Sequence, residues 1–434
     1  MNERLDVYLL GVQVAKLELV RGSRYRLEYL PEHIADPSAV PGAGQFPGAP
    51  GPYTGDDVEW FLENLLPDRE DVRRRWAISA GLPTDEVFGL LSAYGQDVAG
   101  ALEFYPAGTP CTLTSELDPV SGEAIAERIR QIRDDDTQWL PDGRRDHRFS
   151  LGGAQGKFAL AEHDGEWFQP SGQQPSTHIF KPGVAKYDGS DVTEHIVLRV
   201  AERLGFPVAP SRIEYFEGQR TLVVERFDRL RTDESVVRLH QEDFAQATGT
   251  PPSRKYEADG GPSYRQIFAV MDRNLSVRNA SNAKRTFAYS LVFSWIIGNH
   301  DGHSKNYALM LLANGRFLAP LYDLNSIYVF QAEEVCQAKD YRAFDELDLA
   351  FAVNGKRRVG EIGREEFRQL ERDAGLAEFE LDRIARHFAD RLVPAVNAVI
   401  DELPDECKGL TPVQNFPFVA YAQTRRVQDL LGDA

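Results

Sequence analysis

Residues 295–307 read Trp-Ile-Ile-Gly-Asn-His-Asp-Gly-His-Ser-Lys-Asn-Tyr, and residues 319–323 read Ala-Pro-Leu-Tyr-Asp. Asp301 and Asn306 stand five positions apart in a polar stretch, and Asp323 follows beyond a predicted hairpin. Metal-assisted phosphoryl transfer often uses this layout, with one acidic residue near the nucleophile and an Asn and an Asp on the metal. The order of residues therefore favours a phosphoryl-transfer site on a loop.

The elements around this loop follow from local patterns. Apolar residues recur at helical spacing between 287 and 296, and Gly298 occupies the position of a C-terminal cap. Strands are predicted at 307–312 and 316–321, because Asn314-Gly315 between them is a strong hairpin signal. The predicted order is helix, polar loop, hairpin and acidic residue.

Each polar side chain of the loop has a chemical role in this interpretation. Asp301 would accept or orient the proton of an attacking hydroxyl, while Asn306 and Asp323 would hold Mg²⁺ through oxygen atoms. Lys305 would neutralise charge on the transferred phosphoryl group. His303 would orient Asp301 or only pack. The alternative is a solvated loop in which Asp and Asn merely favour turns.

A glycine-rich motif lies upstream, where residues 149–160 read Phe-Ser-Leu-Gly-Gly-Ala-Gln-Gly-Lys-Phe-Ala-Leu. Glycine lets backbone N–H groups approach phosphate oxygens, so this turn would cover a nucleotide. It is not a Walker A sequence, because Phe158 follows Gly156-Lys157, and it lacks G-x-G-x-x-G spacing. An ordinary hairpin turn is the alternative.

Three strands are predicted after the glycine-rich motif. The strand at 177–182 would bring Lys181 within reach of phosphates, although a single surface lysine would give the same pattern. Strands at 212–216 and 221–227 follow. Phe227, at the end of the last strand, would offer its ring to adenine or pack in the core.

In combination these motifs resemble the HipA family of bacterial serine/threonine kinases, the toxin halves of toxin–antitoxin pairs, which share a distant protein-kinase-like fold. The first hundred or so residues also resemble the N-terminal domain of that family, through segments 5–9, 64–67 and 95–101. Seven further segments carry the resemblance: Ser150-Leu-Gly-Gly-Ala-Gln-Gly-Lys157, Thr177-His-Ile-Phe-Lys-Pro182, Val224-Glu-Arg-Phe-Asp-Arg229, Leu239-His-Gln-Glu-Asp-Phe-Ala-Gln246, Lys255-Tyr-Glu-Ala-Asp-Gly-Gly261, Gly298-Asn-His-Asp-Gly-His-Ser-Lys-Asn306 and Pro320-Leu-Tyr-Asp-Leu-Asn-Ser326.

The resemblance implies an α+β architecture with a protein-kinase-like two-lobed fold, in which a β-rich small lobe and a mostly helical large lobe follow an N-terminal α/β subdomain. The implied domains are 1–110, of the HipA N-terminal type, 111–237, the small lobe with the glycine-rich loop, and 238–434, the helical large lobe with the catalytic loop. Residues 255–264 are glycine-rich and polar, which is typical of a mobile loop that flanks a substrate cleft.

The resemblance also implies roles for individual residues. Asp301 would be the catalytic base, with His303 and Lys305 beside it. Ser150 would be the site of autophosphorylation, which in the family ejects the loop and switches the enzyme off. The residues expected to contact ATP are Gly152, Gly153, Ala154, Gln155, Lys157, Lys181, Glu225, Phe227, His303 and Tyr322, and those expected to bind Mg²⁺ are Asn306 and Asp323.

Two departures from the family pattern concern the loops. Gly156 stands where an acidic residue is expected in the phosphate loop, which adds flexibility there. Residues 42–48 read Gly-Ala-Gly-Gln-Phe-Pro-Gly where the family often has a Ser-Leu-Ser-Leu-Pro-like stretch. The second departure bears on which antitoxin would dock.

The implied function is that of a toxin kinase. It would transfer the γ-phosphoryl group of ATP to a Ser or Thr of a protein substrate, an aminoacyl-tRNA synthetase being one candidate, and so arrest growth. Its implied partner is a HipB-like helix-turn-helix antitoxin that represses the shared operon. The formal charge of −18 disfavours direct DNA binding by the chain alone, so DNA would be met indirectly through the antitoxin.

Composition indicates the class of protein. The 434 residues are 42% apolar without an 18-residue apolar run, which favours two or three soluble domains and no membrane association. The start lacks a signal peptide pattern, and Cys111, Cys336 and Cys407 show no metal-binding spacing. A cytoplasmic location is expected.

Two functions of other classes remain open on the sequence. A metal-dependent phosphohydrolase would use His300, Asp301 and His303 as ligands, with His240 as the helper. A non-catalytic corepressor would act only by binding the antitoxin. The remaining expected elements are strands at 5–10, 13–20 and 24–30, helices at 56–66, 84–93, 365–374, 378–388 and 392–403, and a polar linker that contains 133–136 and 141–143.

Overall fold

The computed structural model describes residues 3–20, 24–36, 38–46, 48–109, 116–140, 151–171, 174–232, 235–331 and 340–432. Contacts divide the chain into two compact units. Unit 1 comprises residues 1–182, 214–254 and 308–319, and unit 2 comprises residues 183–213, 255–307 and 320–434. The domain boundaries expected at 110 and 237 stay predictions. Residues 141–143, Ser150, Cys111 and Cys336 lie outside the described residues, while Cys407 is buried.

The elements are numbered in chain order. The strands are β1 (Glu3–Leu9), β2 (Val12–Val20), β3 (Arg24–Tyr29), β4 (Tyr53–Thr54), β5 (Leu102–Pro106), β6 (Glu116–Pro119), β7 (Phe158–His163), β8 (Glu166–Ser171), β9 (His178–Lys181), β10 (Ser211–Phe216), β11 (Gln219–Glu225), β12 (Arg229–Arg231), β13 (Val236–Arg238), β14 (Gln241–Asp243), β15 (Ala308–Leu312), β16 (Gly315–Leu318), β17 (Asp348–Val353) and β18 (Lys356–Arg358). The α-helices are α1 (Pro31–Ala35), α2 (Asp56–Glu63), α3 (Glu70–Ala80), α4 (Val87–Tyr94), α5 (Gly122–Asp134), α6 (Ser190–Arg203), α7 (Phe244–Thr248), α8 (Tyr264–Asn274), α9 (Val277–Ile297), α10 (Arg364–Ala374), α11 (Glu380–Glu402), α12 (Asp405–Lys408) and α13 (Thr411–Leu431).

Unit 1 begins with an antiparallel sheet in the order β4-β3-β2-β1-β5. Leu5, Val7 and Leu9 are at most 3% exposed, as the period of two in a half-buried strand requires. Leu10 and Gly11 connect β1 to β2 with φ of 54° and 78°, the backbone that suits a two-residue hairpin. The three predicted N-terminal strands are confirmed.

A second sheet, which lies in unit 1 except for residues 211–213 of β10, has the order β10-β11-β9-β7-β8-β6. Helix α5 lies on this sheet, because Ile125, Ile129 and Ile132 form one apolar stripe that packs with Phe158 and Phe180. The sequence analysis missed the amphipathic period of α5, and residues 133 and 134 of the expected polar linker are the end of this helix. Strands β14, β15 and β16 form a smaller sheet, and the β15–β16 pairing confirms the predicted hairpin.

Unit 2 is mostly helical, and its core contains the rings of Phe206, Phe293 and Phe388, whose centroids are 5.4–6.0 Å apart. The helices predicted at 378–388 and 392–403 are instead one helix, α11, with Pro394 inside it. A proline within a helix costs about 3 kcal/mol. Burial of one apolar stripe on both sides of Pro394 outweighs that local cost.

The architecture mixes helices and sheets, as expected, while the two-lobed kinase-like arrangement stays a prediction. Across the parts of the chain given above, no helix has the length and apolar character needed to cross a bilayer.

Candidate active site

The polar loop of unit 2 begins where α9 ends, at Gly298. Its φ is 75°, and its N–H donates to the Ser294 carbonyl at 2.9 Å. A Cβ at this position would lie 2.6 Å from the ring of Tyr328, so only glycine fits. Ser326 donates its hydroxyl to the Ile297 carbonyl at 2.6 Å. The predicted helix end is confirmed, and the loop leaves it in a fixed direction.

His303 and Asn306 brace the loop through reciprocal hydrogen bonds. The His303 N–H donates to Asn306 Oδ1 at 3.2 Å, and the Asn306 N–H donates to the His303 carbonyl at 2.9 Å. The Lys305 N–H donates to His303 Nδ1 at 3.3 Å. All three side chains are at most 7% exposed. His303 thus contributes to the shape of the 3-10 turn at 304–306.

Asp323 lies on a segment bonded to this turn. The Tyr322 hydroxyl donates to the Lys305 carbonyl at 2.7 Å. This bond joins the residue that precedes Asp323 to the residue that precedes Asn306. Asp323 has φ of 56°, an uncommon backbone for a residue other than glycine and one that concentrates at functional sites. Leu321 is held in a parallel bridge to Val208. The structure therefore brings the two expected Mg²⁺ ligands onto neighbouring segments.

The donor set of these two residues suits Mg²⁺, which prefers carboxylate and amide oxygens and commonly takes one or two protein ligands plus phosphate oxygens. The Oδ1 atom of Asn306 accepts one hydrogen bond and so keeps a second lone pair for a metal. Asp323 is half-buried. The pair fits a small hard cation that also binds a nucleotide.

Asp301 lies between α9 and the 3-10 turn and is half-exposed. Its Oδ1 accepts a hydrogen bond from the hydroxyl of Tyr256. Sequence reasoning missed this tyrosine, since it assigned residues 255–264 to a mobile loop on the basis of their glycines. The loop mobility itself stays a prediction.

The glycine-rich motif of unit 1 forms a turn before β7. The Lys157 ammonium donates to the Gly152 carbonyl at 2.6 Å, and Gly153 has φ of 101°. Gly153 also forms two hydrogen bonds with Asp68. The Gly153 N–H donates to Asp68 Oδ1 at 3.3 Å, and the Gly153 carbonyl accepts the Asp68 N–H at 3.0 Å. Ala154 is exposed and Gln155 is half-buried at the tip of the turn.

Lys181 lies at the same end of its sheet as this turn. Phe158 pairs with Phe180 in antiparallel register, so Lys157 and Lys181 are the next residues along the two strands. Lys181 is 6% exposed. On the other side of β9, strand β11 ends at Glu225, which pairs with His178, and half-buried Phe227 follows the strand. Within unit 1 these phosphate and adenine candidates occupy adjacent strands.

A buried ionic cluster of Asp97, Arg226, Asp228 and Arg229 was not expected from the sequence. Arg226 donates two hydrogen bonds to the Asp228 carboxylate, both at 2.9 Å, and Arg229 donates to Asp97 at 2.7 Å. All four side chains are at most 7% exposed. Burial alone would raise the pKa of Asp97 and Asp228, but the neighbouring arginines more than offset it and hold both values below the ordinary range.

His240 cannot serve as a metal ligand in this fold. Its Nδ1 accepts the Ala101 N–H at 3.3 Å, so its Nε2–H donates to the Gly42 carbonyl at 2.9 Å. Burial lowers the pKa of His240 to about 4, which keeps the ring neutral. Within the described ranges, no group of three or more His, Cys, Asp or Glu has metal-binding geometry. The helper that the phosphohydrolase alternative needed is therefore missing.

Comparisons with known proteins agree on one family. Residues 5–105 match the model of the HipA N-terminal domain, and residues 149–396 match that of the HipA-like C-terminal domain. A putative kinase, Y4mE, of Sinorhizobium fredii is 30% identical over 92% of this chain and 93% of its own length. The serine/threonine-protein kinase toxin HipA of Shewanella oneidensis is 32% identical over 65% of this chain and 66% of its own length.

A solved structure is similar over almost the whole chain. It is the complex of Shewanella oneidensis MR-1 HipA, HipB and its operator DNA, with a TM-score of 0.82 and 27% identity. The match covers 99% of this chain and 98% of the solved chain.

Proposed function

The chain belongs to the HipA family, and on that premise we propose that it is a protein kinase that transfers the γ-phosphoryl group of ATP to a serine or threonine hydroxyl. One observation carries the proposal. The hydrogen bond from Tyr322 to the Lys305 carbonyl joins the segment of Asp323 to the turn of Asn306, in the same loop as Asp301. Catalysis of phosphoryl transfer depends mainly on such positioning of charge.

The residues of unit 2 divide the chemical work. Asp301 accepts the proton of the substrate hydroxyl, and Asn306 and Asp323 hold Mg²⁺, which when bound neutralises charge on the phosphates. Lys305 adds positive charge near the transferred group. His303 shapes the turn through its bonds to Asn306 and Lys305.

The residues of unit 1 bind the nucleotide in this proposal. The glycine-rich turn at Gly152, Gly153, Ala154 and Gln155, together with Lys157 and Lys181, contacts the phosphates, as glycine-rich turns and lysines do in kinases. Glu225 and Phe227 hold the adenine. Tyr322 is also proposed as an ATP contact. The two-lobed kinase fold, the three proposed domains and autophosphorylation at Ser150 belong to the same proposal.

The proposal is tested by incubating the purified protein with γ-labelled ATP, Mg²⁺ and a bacterial lysate. Wild-type protein is expected to label itself and at least one lysate protein on Ser or Thr, while Asp301→Asn loses label by several powers of ten, roughly the effect of deleting a catalytic group. Ser150→Ala is expected to lose most of the self-label. Equal labelling by wild type and Asp301→Asn would overturn the assignment. ATP binding without any transfer would instead favour the corepressor.

The cellular setting is proposed from the relatives. One relative is named a serine/threonine-protein kinase toxin, and the similar solved structure contains HipB and operator DNA. We therefore extend the proposal to a type II toxin that binds a HipB-like helix-turn-helix antitoxin, reaches DNA through it and arrests growth by modifying a protein such as an aminoacyl-tRNA synthetase. Co-expression with a HipB-like helix-turn-helix protein is expected to relieve growth arrest, whereas arrest by Asp301→Asn would contradict a kinase-based toxin.

A further inference from the structure

The hydroxyl of Tyr256 and the carboxylate of Asp301 are joined by a hydrogen bond across 45 residues of sequence. We infer that Tyr256 is a positioning residue, which fixes the rotamer of Asp301 so that its other oxygen faces the substrate hydroxyl. The inference rests on the proposed kinase function and adds a residue to it. A carboxylate has acceptor sites for about four hydrogen bonds, so the bond from Tyr256 leaves room for the substrate.

The ring of Tyr256 is held from two sides. It packs edge-on against His303, with centroids 4.9 Å apart and planes at 87°. The Lys255 ammonium lies 5.5 Å from the ring centroid on its face. His303 belongs to the reciprocal cap with Asn306, so the tyrosine is packed on the loop that carries Asp301. Its hydroxyl therefore has a defined direction relative to the base.

The main chain around Tyr256 is also tied to that loop. The Lys255 carbonyl accepts two hydrogen bonds from Ser304, from its hydroxyl at 2.8 Å and its N–H at 3.3 Å. The Tyr256 carbonyl accepts the Gly261 N–H at 2.9 Å, and Glu257 accepts the Ala352 N–H at 2.7 Å. Displacing the tyrosine would break several of these bonds. The contacts therefore favour a fixed support over a gate that swings away from Asp301.

The alternative is that Tyr256 occupies the place of the substrate hydroxyl and inhibits the enzyme. The two accounts predict opposite effects of Tyr256→Phe, which removes the hydroxyl and keeps the ring. If Tyr256 supports Asp301, loss of the hydroxyl lowers the maximal rate of label transfer about 10- to 100-fold, which is the effect of losing one hydrogen bond to a charged group. The ATP concentration at half-saturation then stays within about 3-fold of the wild-type value. If Tyr256 inhibits the enzyme, loss of the hydroxyl raises the rate.

Tyr264→Phe is the matched control, because Tyr264 is 1% exposed in the same unit and donates its hydroxyl to Asp373 at 2.5 Å. It is expected to keep the wild-type rate. Thermal denaturation of both variants reports whether the fold is intact. In an Asp301→Asn background, Tyr256→Phe is expected to cause no further loss, since it acts through the missing carboxylate.

The outcomes separate the inference from the proposed function. An inactive wild-type protein, or one unaffected by Asp301→Asn, overturns the kinase assignment. An active wild type that depends on Asp301, but whose Tyr256→Phe variant is as fast or faster, overturns only the positioning role. A loss that persists in the Asp301→Asn background also overturns it, because that loss would be structural.

Discussion

Replacement of Arg229 by methionine tests how the buried ionic cluster stabilises unit 1. The Arg229 side chain is 1% exposed and donates five hydrogen bonds at 2.7–3.2 Å, one to the Asp97 carboxylate and four to main-chain carbonyls. It also forms an ion pair with the Asp228 carboxylate at 3.2 Å. Arg229→Met fills a similar length but leaves both carboxylates facing fewer positive charges. Removal of one partner from a buried ion pair costs about 3–5 kcal/mol, so the free energy of unfolding should fall by that amount.

Arg231→Met provides the control two residues further along the chain. Arg231 is 42% exposed and pairs with Glu162 at 3.2 Å, so its replacement should cost less than about 1 kcal/mol. Urea denaturation followed by circular dichroism and tryptophan fluorescence measures both changes from the midpoints and slopes. A loss in Arg229→Met no larger than that in Arg231→Met would refute the argument that the cluster is a major contributor to stability.

Two further predictions concern stability. Because burial lowers the pKa of His240 to about 4, well below its unfolded value near 6.5, the neutral ring stabilises the protein above pH 6.5, and up to about 3 kcal/mol is lost as pH falls to 4. In urea titrations, the free energy of unfolding of His240→Gln should fall less between pH 6.5 and pH 4 than that of the wild type. An equal fall in the two proteins would contradict this. Gly298→Ala should lower the free energy of unfolding by about 1–3 kcal/mol more than Gly375→Ala does. Both glycines have φ near 70°, but only Gly298 lies against a ring, that of Tyr328. Equal shifts of the melting temperature in the two variants would argue against this contact.

The local features of the loop were predictable from sequence. The end of α9 at Gly298 and the β15–β16 hairpin depend on helical period, a capping glycine and a turn dipeptide. These signals act over a few residues. The sequence could therefore place Asp301 in a loop, Asn306 in a turn and Asp323 in the segment after a hairpin.

The contacts that support those residues were not predictable, because they join distant parts of the chain. Tyr256 bonds to Asp301 across 45 residues, and Arg229 bonds to Asp97 across 132. Both segments were noted as family-like motifs, but a motif does not say which side chain meets which. The break predicted at residues 389–391 was also wrong, since tertiary packing continues α11 through them.

In the proposed kinase, Asp301, Asn306 and Asp323 converge on the terminal phosphate of a metal-bound nucleotide. A crystal structure with Mg²⁺ and a non-hydrolysable ATP analogue would show whether they do. We expect Mg²⁺ bound by Oδ1 of Asn306 and the carboxylate of Asp323, with the Asp301 carboxylate facing the γ-phosphate. A cation held by His300 and His303, or a nucleotide that contacts none of the three residues, would contradict it.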